Sequence, residues 1–557
     1  MVQRVSRASI HGRHRLPGPG RGPGHHRREH QARDSLGAGG RHLRGGDDQR
    51  DPASGLFQDD RRPAHLQDGP PAPPFRAQGL GRAQGDRALL DHSRGAGLGG
   101  HEHPEAEVAV ELKGKKVLVV GLGASGLAAG LLALGQGAQV RATDLMPQPP
   151  AAQELGAAGA RLSLGGHNRA DFDWAELVVL SPGVDHRLPE VEAARRCGAE
   201  VIGELELGWR FLRCPAVMVT GTNGKSTVTT LVGRMLAQAG FKTLVGGNLG
   251  TPASELALQS RGADWAVLEV SSFQTDTMDR LRPRVAVILN INPDHLDRYP
   301  DFAAYAASKF RLLVRQAQDD VAVLCADDPE VWRRRDQAPA VVWAYGARGP
   351  HRPGGWLENG GLVLEPGPGR GLRLSTAASH LPGGFNRLNL LAASLAAVAC
   401  GARPEAIQQV IDSFPGLAHR LQFVGEQGGV AFFDDSKGTN VGAVAAALGA
   451  MERQVVLLLG GRDKEGDFGG LGPLLSQRAR WVVCFGEAGP SIHRQIAAFV
   501  ASEVVPDLAS AVARARAGAR PGEAVLLSPG CASFDAYRGY AQRGDHFREL
   551  VKEASLG

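Results

Sequence analysis

The chain has 557 residues, 43% of them hydrophobic and 22% charged, with a formal net charge of +5, enough material for about three domains with buried cores. It contains no run of 18 apolar residues, which excludes a transmembrane helix. Its six cysteines (Cys197, Cys214, Cys325, Cys400, Cys484 and Cys531) have neither CxxC pairs nor metal-site spacing, so free thiols in a reducing cytoplasm are expected.

Residues 1–100 contain no lysine, no cysteine, three Val or Ile, and 17 arginines against 10 acidic residues. A Gly-, Pro-, Arg- and His-dominated leader of this kind has too little apolar surface to fold alone. Residues 1–107 are expected to be disordered, or to reflect a start codon placed too far upstream. With acids mixed in and no aromatic interleaving, the leader predicts no nucleic-acid partner. It is neither a signal peptide nor a membrane insert.

A first domain is predicted over 108–210. "KKVLVVGLGASGLAAGLLALGQGAQVRATD" (115–144) reads strand, glycine turn, helix, strand, with G-x-G-x-x-G at Gly121, Gly123 and Gly126 and an acid at Asp144. This dinucleotide fingerprint allows NAD, FAD, a UDP-sugar or no ligand. "LVVLSPG" (177–183) is a further strand ending in a small-residue turn.

A central domain is predicted over 211–414. "PAVMVT" is a short buried strand, followed by Gly221, Thr222, Asn223 and Gly224, and then by Lys225, Ser226 and Thr227 opening a helix. Glycines let backbone N–H groups approach an anion, and the helix N-terminus adds orphan donors and partial positive charge. Lys225 supplies a point charge and Ser226 a magnesium ligand. The spacing G-x-x-G-K-S is tighter than the usual phosphate loop but predicts an ATP site. "WAVLEVSSFQ" (265–274) and "VAVILNINPDHLDRY" (285–299) are strands leading into polar turns, where Glu269 and His295 are candidate magnesium ligands. Lys309 lies on the helix "FAAYAASKFRLLV", where spacing alone predicts a solvated charge. The glycine-rich residues 348–375 read as a hairpin excursion.

From 415 to 557 three strand-then-turn units recur: "VAFFDDSKGTN", "VVLLLGGRDKEGDF" and "AVLLSPGCASFDAYRGYAQRGDHF". Each sets Asp, Lys, Ser or Thr just beyond an apolar strand, which predicts a third doubly wound domain facing the ATP site. The fold class expected is therefore α/β: a Rossmann-like first domain, a phosphate-loop ATPase-like central domain with a mostly parallel sheet, and a Rossmann-like C-terminal domain.

These motifs, in this order, resemble the Mur ligases over about residues 112–553. "GTNGKST" and His419-Arg420 are shared with the wider superfamily, including folylpolyglutamate synthases. "VLEVSSFQ", "DHLDRY", "DDSKGTN" and "SPGCASFD" are similar to the D-glutamate-adding branch. The resemblance implies a cytoplasmic, monomeric, ATP-dependent ligase of peptidoglycan precursor synthesis. It would join D-glutamate to UDP-N-acetylmuramoyl-L-alanine through an acyl phosphate, and the first domain would bind UDP rather than NAD. It implies that Lys225 holds the phosphates, Ser226 and Glu269 the first of two Mg²⁺ ions, and His295 the second. Lys309 corresponds to a lysine that the family carbamylates, which would make it an anionic metal ligand. Arg420, Asp435 and Asn386 match ATP contacts, and Lys437 a lysine facing the reacting phosphate. Thr439, Lys464, Ser533 and Tyr540 match D-glutamate positions; Ser125, Asp144, Gly183 and Asn248 match UDP-substrate positions. Phe385 stands where relatives often have His, and Tyr540 where some have Phe. A sibling ligase adding another amino acid is the alternative of the same class. A nicotinamide-dependent dehydrogenase is the alternative of another, and it leaves the phosphate loop unexplained.

Overall fold

The structure is a computed structural model that describes residues 111–553, apart from 249, 296–297 and 464–465; the expectation for residues 1–107 lies outside it. The first domain holds β1 (Lys116–Val120), β2 (Gln139–Asp144), β3 (Arg161–Leu164), β4 (Leu177–Leu180) and β5 (Glu200–Gly203). They form an all-parallel sheet in the order β3-β2-β1-β4-β5. Strands covered on both faces read as continuous apolar runs, and Val117 to Val120 and Leu177 to Leu180 are all buried. Strand order reverses between β1 and β4, so a crevice for a ligand opens at their carboxyl ends.

Gly126 lies on the helix Ala124–Gly135, where a Cβ would sit 1.9 Å from Gly121 O. That contact is with backbone, which cannot swing aside. Gly126→Ala is expected to destabilise the protein by about 3 kcal/mol, the upper range for overpacking, lowering the thermal unfolding midpoint. An unchanged midpoint would mean that the glycine turn does not approach the helix this closely.

The central domain holds β6 (Ala216–Thr220), β7 (Thr243–Gly247), β8 (Trp265–Glu269), β9 (Val285–Ile288), β10 (Val321–Cys325), β11 (Val341–Gly346), β12 (Gly354–Glu358), β13 (Gly361–Glu365) and β14 (Leu372–Leu374). The order is β14-β13-β12-β11-β10-β9-β6-β8-β7, parallel from β7 to β12 and antiparallel beyond. The glycine-rich excursion is thus an extension of the sheet edge. The third domain holds β15 (Gln422–Gln427), β16 (Val430–Asp434), β17 (Val455–Gly460), β18 (Ala479–Phe485), β19 (Ser502–Val505) and β20 (Ala524–Gly530). Its order is β15-β16-β20-β17-β18-β19, parallel except for β15.

One apolar core runs without a break from the first domain into the central one, from Leu112 and Val117 through Leu205 and Leu207 to Ala253 and Leu268. The helix Glu204–Phe211 carries the chain across this junction. There Glu206 accepts hydrogen bonds from the backbone N–H groups of Asp279, Arg280 and Leu281 (3.2, 3.1 and 3.0 Å), and Arg210 Nε pairs with it at 2.8 Å. A buried charge is tolerable only when partnered in this way, so the two domains are tied by polar as well as apolar contacts.

Candidate active site

The loop 221–224 joins β6 to the helix Lys225–Gln238. Gly224 takes a left-handed φ of 86° at the N-cap, and no side chain caps the helix, so its first N–H groups face the loop concavity. The loop is clamped from β9: Asn223 N donates to Asn290 Oδ1 (2.8 Å), and Asn290 Nδ2 donates to Asn223 O (3.0 Å). Thr222 Oγ1 lies 3.0 Å from Tyr305 OH. Lys225 Nζ donates to Gly221 O (3.0 Å) and Thr222 O (2.9 Å), holding its charge over the loop. Thr227, one residue beyond Ser226, is buried in the same helix.

Beside this loop stand a carboxylate and a second amine. Glu269 ends β8 and is 3% exposed. Its Oε1 accepts from Asn248 Nδ2 (2.7 Å), while its buried Oε2 has no hydrogen-bond partner. An orphaned carboxylate oxygen is costly to bury, and a divalent cation would satisfy it. Lys309, 2% exposed on the helix Phe302–Phe310, donates to Gly221 O at 3.0 Å. That is the carbonyl Lys225 also uses. Burial, then the neighbouring Lys225 charge, pushes the Lys309 amine well below the usual lysine range. His295 has a left-handed φ of 56°; its ring lies 4.8 Å from Phe273, and its Nε2 is 3.8 Å from the Asp294 carboxylate. Among the described residues no three His, Cys, Asp or Glu side chains converge on a metal position. Mg²⁺, which keeps waters and phosphate oxygens and takes one or two protein carboxylates, does not require such a cage.

The third domain closes over the loop. Arg420 stands between His419 (φ 59°) and Leu421 (φ 47°), two non-glycine residues in a sparsely allowed region. His419 Nδ1 to Asp434 Oδ2 (2.7 Å) and Leu421 N to Asp435 Oδ1 (3.1 Å) hold this backbone. The result aims Arg420 Nη2 at Ser226 Oγ, 2.6 Å away. Burial lifts the Asp435 carboxyl to about 7, and Ser528 Oγ donates to it at 2.7 Å. Lys437 Nζ sits 3.9 Å over the Tyr540 ring. Asn440, the N-cap of the helix Val441–Ala450, reaches across to Asp294 Oδ2 (3.2 Å) and Asn223 Oδ1 (3.4 Å).

Two cavities meet at residues 223–224. One, of about 510 Å³, brings together Lys225, Ser226, Asn248, Glu269, His295 and Lys309 with Lys437, Thr439, Ser533 and Tyr540 of the third domain. The other, of about 420 Å³, has Thr227, Asn386, Arg420 and Asp435 alongside apolar Leu381, Phe385 and Tyr345, the mix of flat apolar walls and few polar groups that suits a base. Asn386 is fixed there by Pro382 O (2.8 Å) and Asn389 Nδ2 (3.1 Å).

Ser125, Asp144 and Gly183 line neither cavity; they follow β1, end β2 and follow β4 respectively, at the carboxyl ends of the first domain's strands. Asp144 Oδ2 accepts from Leu122 N (2.6 Å) and Oδ1 from Met146 N (2.7 Å), while Ser181 Oγ donates to Gly121 O (2.8 Å). Asn248 is apart from this group, on Glu269. Arg298 bridges the two sites, donating to Val184 O (2.9 Å) and lying 4.0 Å over Phe273. Lys464 lies outside the described residues. Sequence reasoning passed over Asn290, Asp294 and Asn440, although they stand inside the motifs "NINPDHLDRY" and "DDSKGTN".

Comparison with known proteins gives three family matches: "Mur ligase MurD-like, N-terminal domain" over residues 115–203, "Mur ligase middle domain" over 219–397, and "Mur ligase, glutamate ligase domain" over 419–531. The UDP-N-acetylmuramoylalanine--D-glutamate ligase of Anaeromyxobacter dehalogenans is 45% identical over 462 residues, 80% of this chain and 99% of the relative. That of Desulfosudis oleivorans is 43% identical over 451 residues, 80% of this chain and 98% of the relative. Among solved structures, a pseudomurein peptide ligase type C from Methanothermus fervidus covers 79% of this chain and 100% of its own at 19% identity and a TM-score of 0.52, a likeness of fold.

Proposed function

The chain belongs to the Mur ligase family, and from that premise we propose that it joins D-glutamate to UDP-N-acetylmuramoyl-L-alanine with cleavage of ATP, in peptidoglycan precursor synthesis. The observation that carries this reading is the single cavity in which Lys225, Glu269 and Lys309 meet Lys437, Thr439 and Ser533. Phosphate-binding and amino-acid-binding groups face one another there. UDP-substrate binding is assigned to residues 108–210, ATP binding to 211–414 and D-glutamate binding to 415–557.

A carboxylate is a poor electrophile, and phosphorylation gives it a leaving group. The L-alanine carboxylate oxygen attacks the γ-phosphorus of ATP and ADP departs; the D-glutamate amine then attacks the acyl carbon and inorganic phosphate departs. Two anions must approach in the first step, so cations placed beforehand around the transferred phosphoryl lower its barrier. Lys225, over the loop, and Lys437, over Tyr540, are those cations. Arg420 carries the third domain's charge to Ser226. Thr439, Ser533, Tyr540 and Lys464 receive the amino acid; Ser125, Asp144 and Gly183 receive the UDP end, with Asn248 setting the Glu269 carboxylate.

Two Mg²⁺ ions fit this chemistry. Ser226 and Glu269, with its orphaned oxygen, would hold one, and His295 with a carbamylated Lys309 the other; when bound they would neutralise phosphate charge. Carbamylation is favoured by the burial of Lys309 against Lys225, which pushes its amine well below the usual lysine range. Among the described residues no helix is long and apolar enough to cross a membrane. A monomeric enzyme of the cytoplasm is part of this proposal.

The test is phosphate release by the purified full chain. It is expected only with ATP, UDP-N-acetylmuramoyl-L-alanine and D-glutamate all present, and to stop when EDTA removes divalent cations. Turnover with L-alanine or a diamino acid in place of D-glutamate would transfer the reading to a sibling ligase.

A further inference from the structure

Arg543 projects from the helix Tyr540–Glu553 and is completely buried. A guanidinium has five N–H donors and no acceptor, and all five are engaged here. Nε donates to Ser436 Oγ (3.1 Å); Nη1 donates to Gly460 O (3.4 Å) and Ala532 O (3.3 Å); Nη2 donates to Ser436 O (2.9 Å) and Cys531 O (3.1 Å). These oxygens belong to three loops leaving the carboxyl ends of β16, β17 and β20, neighbours in the sheet.

Every acceptor is a neutral carbonyl or hydroxyl, so among the described residues no carboxylate is hydrogen-bonded to this charge. Burial lowers the guanidinium to about 10, which leaves it cationic at neutral pH. The Asp535 and Asp434 carboxylates act on it through space, but burying an ion with no hydrogen-bonded counter-ion is still expensive, and apolar residues of similar volume commonly stabilise a core better. Packing alone therefore gives no reason for an arginine at this place.

Two of these segments, those after β16 and β20, frame the acceptor pocket. Ser436 begins the turn that ends in Thr439, Ala532 directly precedes Ser533, and Tyr540 lies one helical turn before Arg543. Ser436 Oγ, held by Arg543, in turn donates to Tyr540 O at 2.8 Å. Resting on the ligase reading above, the geometry points to Arg543 as a positioning residue of the acceptor site: it ties the two pocket loops to each other and to the end of β17, and so holds them in register. It does this from behind the pocket, through the loops, without touching substrate.

Two variants of the full chain test this role. Arg543→Lys keeps a charge but loses the planar fork. It is expected to raise the KM for D-glutamate about tenfold while leaving the KM for UDP-N-acetylmuramoyl-L-alanine unchanged. Arg543→Gln removes the guanidinium fork altogether and is expected to raise the KM for D-glutamate further, again without moving the KM for UDP-N-acetylmuramoyl-L-alanine. A lysine variant in which both KM values rise together, or neither moves, overturns the proposal even if the glutamine variant does not fold. So does a folded glutamine variant with the wild-type KM for D-glutamate. Wild-type turnover that ignores D-glutamate would instead sink the ligase reading and leave the role of Arg543 in the loops a separate question.

Discussion

Replacing Lys225 with alanine is expected to lower ATP-dependent phosphate release by at least about a thousandfold, the upper range for removing one preorganised charge-stabilising group. The ammonium has three N–H donors. Two hold the loop at Gly221 O and Thr222 O, which leaves one for a phosphate oxygen. Because the group is half-buried in the cleft, its charge is screened less than in water and is worth more there. The substitution has a second consequence. After burial, the Lys225 charge is the next cause of the depressed Lys309 basicity, so its removal raises that basicity. An added amine that replaced the lost cation would therefore restore both functions, whereas Lys225→Arg would not, since the planar guanidinium does not fit the two-carbonyl grip. Single-turnover phosphate release is the measurement, and activity within tenfold of wild type would remove Lys225 from the reaction.

Much of the scaffold beneath this site is legible in the sequence because parallel sheets advertise themselves. β6, β8 and β9 are buried along their whole length, and strands covered on both faces read as unbroken apolar runs. The polar turns that follow them are then the places where chemistry gathers. Strand order is not written locally, and neither are contacts across the cleft. Asn223 and Asn440 are 217 residues apart, and Ser226 and Arg420 are 194 apart; hydrophobic periodicity says which side of an element is covered, not what it meets. The left-handed backbone at His295, His419 and Leu421 is equally invisible, because no glycine marks it.

Two residues show where spacing and structure part company. By helical pattern Lys309 is a solvated charge, and only the family resemblance assigns it chemistry; its 2% exposure agrees with the resemblance. Arg543 sits in "YRGYAQRGDHF" among other charged residues and carries no motif of its own. Its five partners come from three separate loops, so nothing short of the folded domain identifies it. A buried polar hub of this kind depends on long-range closure, and sequence patterns report only local periodicity.

Lys309→Ala is expected to reduce turnover by about a hundredfold, and short carboxylic acids supplied in the assay are expected to restore part of it. Burial and the Lys225 charge lower the basicity of this amine, which favours its unprotonated form; that form would attack CO₂ to give a carbamate with release of one proton. The oxygen end is then a hard anionic ligand of the sort Mg²⁺ prefers, and a small free carboxylate can occupy the space left by the alanine. Lys309→Arg cannot form the carbamate and should stay inactive with or without the acid. Lower pH reprotonates the amine and reverses the reaction, so activity should need more bicarbonate as pH falls. The same residue sets a stability slope in bicarbonate-free buffer. Unfolding returns Lys309 to water, where it binds a proton that the native amine lacks. The unfolded state then holds more protons, and stability rises with pH from the depressed native value up to the ordinary lysine value of 10.5. Lys309→Met should flatten that slope in urea titrations at successive pH values. Intact protein whose mass lacks the added CO₂ while full activity persists, or an alanine variant that no carboxylate revives, would show that the amine serves by its position alone.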